Sequence, residues 1–168
     1  MDNESKKPYF VKLIVKLTTI IQTLGWVLIF GLTILLVVYE LQAMPTTSLK
    51  LCILQNLKIF QSFQAIEVLF SLFGLVGGSA LFSLMQIVGR LIIVFCFVDL
   101  EMQSNIYWNI VLCWSLADII RNLFYLSKNS FTGFLRYNCF ILLYPLGVTG
   151  EVRAIENNLR KNNFESNE

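Results

Sequence analysis

The residues of this chain best suited to chemistry are Tyr144 and Glu151, which lie in RYNCFILLYPLGVTGE, the stretch from Arg136 to Glu151. A phenol donates a proton and a carboxylate accepts one, and both stand at the end of an apolar segment, a pattern that points to acid and base work on a lipid. Seven residues are close to two helical turns, so a regular helix would put the pair on one face, about 10 Å apart. Pro145 removes one backbone bond and Gly147 and Gly150 permit a break. The sequence therefore predicts an irregular helix that brings phenol and carboxylate closer or turns both into a cavity. The plainer alternative is an interfacial tyrosine, a helix stop and a solvated glutamate.

A second group of ionisable residues, Glu67, Arg90, Asp118 and Arg121, falls inside apolar stretches. Each costs several kcal/mol if it faces hydrocarbon, so each is expected to face the interior of a helical bundle and find a partner there. Two acids and two bases balance. Asp118 and Arg121 are three apart and can pair within one helix, and Glu67 and Arg90 can then pair between helices. Such pairs either fix helix register or form a functional polar centre.

Other chemistry is excluded by composition. The chain has no histidine, so Ser-His and Cys-His nucleophilic pairs and histidine metal sites are absent. Cys52, Cys96, Cys113 and Cys139 show no CxxC spacing and read as small apolar packing residues. No phosphate-binding glycine loop or dinucleotide fingerprint occurs, and no metal or cofactor is expected. The formal net charge of +2 is spread over helix ends, a membrane-surface pattern rather than a nucleic-acid footprint.

The elements that must position these residues follow from hydropathy. Apolar residues make up 56% and charged residues 14% of the 168, where a soluble domain carries roughly a quarter charged. Five stretches approach the roughly 20 residues needed to cross hydrocarbon: Leu17 to Tyr39, Ile59 to Val76, Ala80 to Val98, Ile106 to Leu126, and Phe131 to Val148. Backbone groups cannot stay unpaired in lipid, so the expected fold is all-α, a polytopic transmembrane bundle of about five helices. Gly74 to Ser79 and Leu126 to Gly133 have turn compositions, and the link from Glu40 to Lys58 is placed at the membrane surface. One domain is assigned to residues 1–150, followed by a polar tail, residues 151–168. Lys6, Lys7, Lys12 and Lys16 precede the first helix, which reads as a retained anchor, and favour a cytoplasmic N-terminus. Five spans then put the tail on the opposite face, against the bias of Arg153, Arg160 and Lys161.

Three segments carry a resemblance. RYNCFILLYPLGVTGE, WSLADIIRNLFY from Trp114 to Tyr125, and IEVLFSLFGLVGGSALFSLMQIVGR from Ile66 to Arg90 resemble the 3-hydroxyacyl-CoA dehydratase family, also known as protein-tyrosine-phosphatase-like membrane proteins. QTLGW, Gln22 to Trp26, resembles the family's first helix. The resemblance implies a six-helix enzyme of the endoplasmic reticulum membrane. It would remove water from a very-long-chain 3-hydroxyacyl-CoA, giving a trans-2-enoyl-CoA in the third step of fatty acid elongation, beside elongase and reductase partners. The family's catalytic Tyr and Glu fall on Tyr144 and Glu151. Arg90, Arg121 and Arg136 would orient them, meet CoA phosphates, or serve packing and pairing.

The chain departs from the family pattern at Phe70 (His in the family), Thr18 and Thr19 (Tyr-Asn), Asp118 (Glu) and Asn122 (Tyr). After Glu151 the family continues into a sixth helix, whereas EVRAIENNLRKNNFESNE is polar, so a divergent member without the usual C-terminal helix is expected. Three readings follow: an active dehydratase, an inactive or truncated relative acting as a membrane scaffold for elongation enzymes, and an unrelated lipid-binding or transporter-like bundle.

Overall fold

The computed structural model describes residues 8–75, 80–98, 106–127 and 129–165. Lys6, Lys7, the Val76 to Ser79 part of the first expected turn and Lys128 of the second lie outside the described residues. Every regular element among the described residues is helical: α1 (Tyr9–Leu41), α2 (Thr47–Phe63), α3 (Ala65–Leu72), α4 (Ala80–Ile92), a π-helical segment (Ile93–Val98), α5 (Ile106–Ser127) and α6 (Ser130–Glu165).

α1 carries no charge from Leu17 to Tyr39. Its hydroxyls bond back into its own backbone: Thr19 Oγ1 donates to Val15 O, Thr23 Oγ1 to Thr19 O and Thr33 Oγ1 to Ile29 O, at 2.7–2.8 Å. Polar atoms on an apolar helix are thereby satisfied without water. Trp26, Ile29 and Leu36 are fully buried, yet the outward side carries Leu24, Val27, Leu28, Ile34 and Leu35. A helix apolar all round has no water-facing stripe, and hydrocarbon is the solvent that suits it. α1 and the stretch Trp108–Ser127 of α5 are long and apolar enough to cross a membrane.

Of the five expected spans, α5 matches its predicted limits within a residue, and Ala80 to Val98 is occupied by α4 and the π-helical segment, in which Leu84–Cys96 forms a shorter apolar helix. The second differs. The chain leaves α1 through Ala43, which takes a φ of 52°, and α2 begins at Thr47, so most of the Glu40 to Lys58 link is helix rather than surface loop. Lys50 Nζ stands 2.7 Å from Glu40 Oε1 and binds the start of α2 to the end of α1. α2 and α3 are separated by Gln64 alone, and Gln64 N still donates to Phe60 O at 3.0 Å.

α5 is the central element, packed against α1 on one side and α6 on the other. The core joins Trp26, Ile29 and Leu36 of α1, Ile53, Leu54 and Leu57 of α2, Ile93 and Val94, and Trp108, Ile110, Val111 and Trp114 of α5. Glycines set the closest approaches. A Cβ on Gly25 would fall 2.1 Å from the Phe60 ring, and one on Gly150 would fall 2.4 Å from Ile110 Cγ1. Where burial from lipid gives little driving force, such close packing is what holds helices together.

The cysteines are unpaired, and they do not fill the core as expected of packing residues. Cys52 and Cys96 are exposed, and Cys113 and Cys139 are half-buried.

Candidate functional site

The four ionisable residues of the apolar stretches do converge, with one exchange of partners. Arg90 Nη1 pairs with Asp118 Oδ2, and Arg121 Nη2 lies 3.1 Å from both Asp118 Oδ1 and Glu67 Oε2. The expected Asp118–Arg121 contact within α5 is therefore present. The expected Glu67–Arg90 contact is replaced by Arg90–Asp118, because Asp118 is buried on the face of α5 that α4 approaches, while Arg121 reaches Glu67 of α3. One carboxylate thus serves two guanidinium groups from different helices. The Arg121 contacts are charge proximity without directed hydrogen bonds, since neither its Nε nor its Nη2 has a hydrogen-bond partner among the described residues.

Neutral amides complete this centre, and sequence reasoning missed them. Gln61 Nε2 donates to Gln64 Oε1 at 2.9 Å, and Gln64 Nε2 donates to Asp118 Oδ1 at 3.0 Å; both glutamines are fully buried. The single-residue irregularity at Gln64 is where the α2–α3 rod meets α5. Glutamine is common on helix surfaces, so only its position within an apolar run, LKIFQSFQAIEVLF, could have marked it.

Tyr144 and Glu151 lie on one uninterrupted helix. α6 runs through Pro145 to Glu165, so the predicted break does not occur. The ring of a proline removes a single backbone bond, and in a 36-residue helix the bonds on either side persist. The helix likewise continues across the boundary between residues 150 and 151. About 10 Å of helical rise separates the two residues. Tyr144 is 59% exposed, whereas Glu151 is half-buried and meets α5.

Glu151 is held there by a residue that the motif alone did not single out. Trp114 Nε1, on α5, donates to Glu151 Oε1 at 3.0 Å. The indole lies across Gly147, where an added Cβ would meet Trp114 Nε1 at 3.8 Å. Its ring also carries a cation, with Arg90 Cζ 5.2 Å from the centroid. A continuous path of contacts therefore leads from Gln61 through Gln64, Asp118, Arg90 and Trp114 to Glu151. Arg136 stands elsewhere, over the rings of Phe124 and Tyr125 at 5.1 and 5.5 Å.

The residues that departed from the family pattern sit differently in the structure. Thr18 Oγ1 and Thr19 Oγ1 bond the backbone of α1. Asn122 is fully buried, and neither side-chain atom of its amide has a hydrogen-bond partner among the described residues. No group of three or more metal-ligating side chains occurs among the described residues.

The arrangement can move protons. It offers a carboxylate oriented by a neutral donor, a phenol on the same helix, and a buried charge network beside them. Residues 61–167 match the family described as Protein tyrosine phosphatase-like protein, PTPLA. Among curated proteins, the chain is 36% identical over 100 residues to a probable very-long-chain (3R)-3-hydroxyacyl-CoA dehydratase of Schizosaccharomyces pombe, covering 54% of this chain and 48% of the relative. It is 30% identical over 145 residues to very-long-chain (3R)-3-hydroxyacyl-CoA dehydratase 1 of Mus musculus, covering 81% and 50%. It is 29% identical over 145 residues to dehydratase 2 of Homo sapiens, covering 81% and 56%. The chain thus spans about half the length of the curated relatives it matches. No solved structure matches it. With more than half of its residues inside the family's match, the chain belongs to the PTPLA family of protein tyrosine phosphatase-like proteins.

Proposed function

We propose that this chain is a 3-hydroxyacyl-CoA dehydratase, a hydro-lyase that converts a very-long-chain 3-hydroxyacyl-CoA into the trans-2-enoyl-CoA. The observation that carries the reading is the seating of Glu151, in the family's LYP-x-G-x-x-x-E motif, against an indole donor at the α5–α6 contact. The names of the relatives supply the substrate class.

Elimination needs a base for the proton α to the thioester carbonyl and an acid for the departing β-hydroxyl. Glu151 takes the α-proton, the C–H electron pair becomes the new C=C bond, and the hydroxide leaves as water with the Tyr144 proton. Return of the proton from Glu151 to the phenolate closes the cycle. The 10 Å of helical rise between the two residues is a gap that a phenol and a carboxylate can close on a hydroxyacyl group placed between them. The reaction needs no metal or redox cofactor. Glu67, Arg90, Asp118 and Arg121 hold together the helices beside α6, which carries the pair, and Arg136 stands apart from them over Phe124 and Tyr125.

The reading extends to the membrane. The other three apolar stretches cross together with α1 and α5 as a five-span bundle over residues 1–150, followed by the polar stretch 151–168. The bundle sits in the endoplasmic reticulum beside elongase and reductase enzymes and lipid. The test is conversion of a long-chain 3-hydroxyacyl-CoA by membranes of a dehydratase-deficient host expressing this chain, with Glu151→Gln and Tyr144→Phe alongside. Turnover that is lost in both variants supports the reading; a well-expressed wild-type chain without turnover overturns it.

A further inference from the structure

We infer that Trp114 is the positioning residue of the Glu151 carboxylate, acting through its indole N–H, and that Arg90 holds the indole in place. The inference rests on the proposed role of Glu151 as base. A glutamate on an otherwise regular helix has free rotation about three side-chain bonds, and a base that removes a carbon-bound proton must hold one orientation. Trp114 supplies that restraint. It is 4% exposed, its N–H donates to Oε1 at 3.0 Å, and the other carboxylate oxygen is left to meet a proton.

Gly147 lies one helical turn before Glu151, and the five-membered part of the indole rests beside it on α6, with its nitrogen within reach of the carboxylate. On α5, Asp118 lies one turn beyond Trp114 and fixes Arg90, whose guanidinium then covers the indole face. A cation on the face of an indole draws electron density from the ring and strengthens its N–H as a donor. The buried ion pair thereby acts on Glu151 without touching it, which gives the intramembrane charges a role beyond fixing helix register.

Trp114→Phe is the test, because it keeps a ring over Gly147 and under Arg90 while removing the donor. In the full chain, kcat should fall about ten- to a hundredfold with KM within about twofold of wild type and unchanged extraction yield. The hydrogen bond is read separately in protein labelled with 15N-tryptophan. The indole signal that disappears in Trp114→Phe should shift in Glu151→Ala, while those of Trp26 and Trp108 stay in place. Wild-type kcat in Trp114→Phe, an unmoved indole signal, or a loss of kcat matched by loss of yield overturns the positioning role. Turnover retained by Glu151→Gln instead overturns the assignment of the base, and a wild-type chain without turnover overturns both. Trp114→Phe that works beside an inactive Glu151→Gln overturns the positioning role alone.

Discussion

Arg90 of α4 and Asp118 of α5 form a buried ion pair, and the same carboxylate also faces Arg121 and accepts a hydrogen bond from Gln64. Asp118 is therefore the point where α4, α5 and the α2–α3 junction meet. Removing one member of a buried pair leaves an uncompensated charge, which costs about 3–5 kcal/mol, whereas replacing both by apolar groups costs far less. Asp118→Asn should lower the thermal midpoint in detergent steeply, and Asp118→Leu combined with Arg90→Met should recover much of the loss. Equal midpoints for the single and double variants would show that the pair does not act as a unit.

Glu67 belongs to the same centre but is held more loosely. Its side chain is 22% exposed, and its ion pair is with Arg121, which keeps Asp118 as a second partner. Glu67→Gln should cost about 1 kcal/mol, well below Asp118→Asn. Melting curves of the two variants, recorded in one detergent, give the order directly.

What could be read from the sequence follows from how each feature is encoded. α5 was legible to within a residue because lipid-length apolar composition is its whole signal, and the pairing of Asp118 with Arg121 followed from their spacing. α2 was not, because TSLKLCILQNLKIFQSF mixes polar and apolar residues and hydropathy hides a helix of that kind. The partner of Arg90 depends on which face of α5 meets α4, a tertiary fact with no local trace. Gln64 and Trp114 were overlooked because an amide and an indole are common packing residues until a carboxylate is found beside them. Pro145 misled in the other direction: one missing backbone bond is a small part of the bonding of α6.

The two glycines that flank the Trp114 contact should behave in opposite ways. A Cβ at Gly150 would stand 2.4 Å from Ile110 Cγ1, in the middle of a buried side chain, so Gly150→Ala must push α6 away from α5 at about 1–3 kcal/mol. At Gly147 the nearest atom would be Trp114 Nε1 at 3.8 Å, an ordinary contact. Gly147→Ala should therefore be neutral or raise stability by up to about 1 kcal/mol through helix propensity. Thermal midpoints in detergent distinguish the two, and a midpoint lowered equally by both would mean that α5 and α6 pack differently from this description.

Asn122 offers the opposite opportunity, a site where removing a polar group should help. Its amide is fully buried and both its nitrogen and its oxygen lack a hydrogen-bond partner among the described residues. An amide desolvated without a partner costs about 1–3 kcal/mol relative to an apolar group of similar shape. Leucine has the same number and branching of side-chain heavy atoms as asparagine and keeps a helix-compatible rotamer, so Asn122→Leu should raise the midpoint by an amount equivalent to about 1 kcal/mol, the bulk of its methyl groups offsetting part of the gain. Asn122→Asp keeps the shape but adds a charge, and should lower it. If leucine destabilises the protein as much as aspartate does, the amide is bonded in solution and the polar centre around Asp118 reaches further along α5 than Arg121.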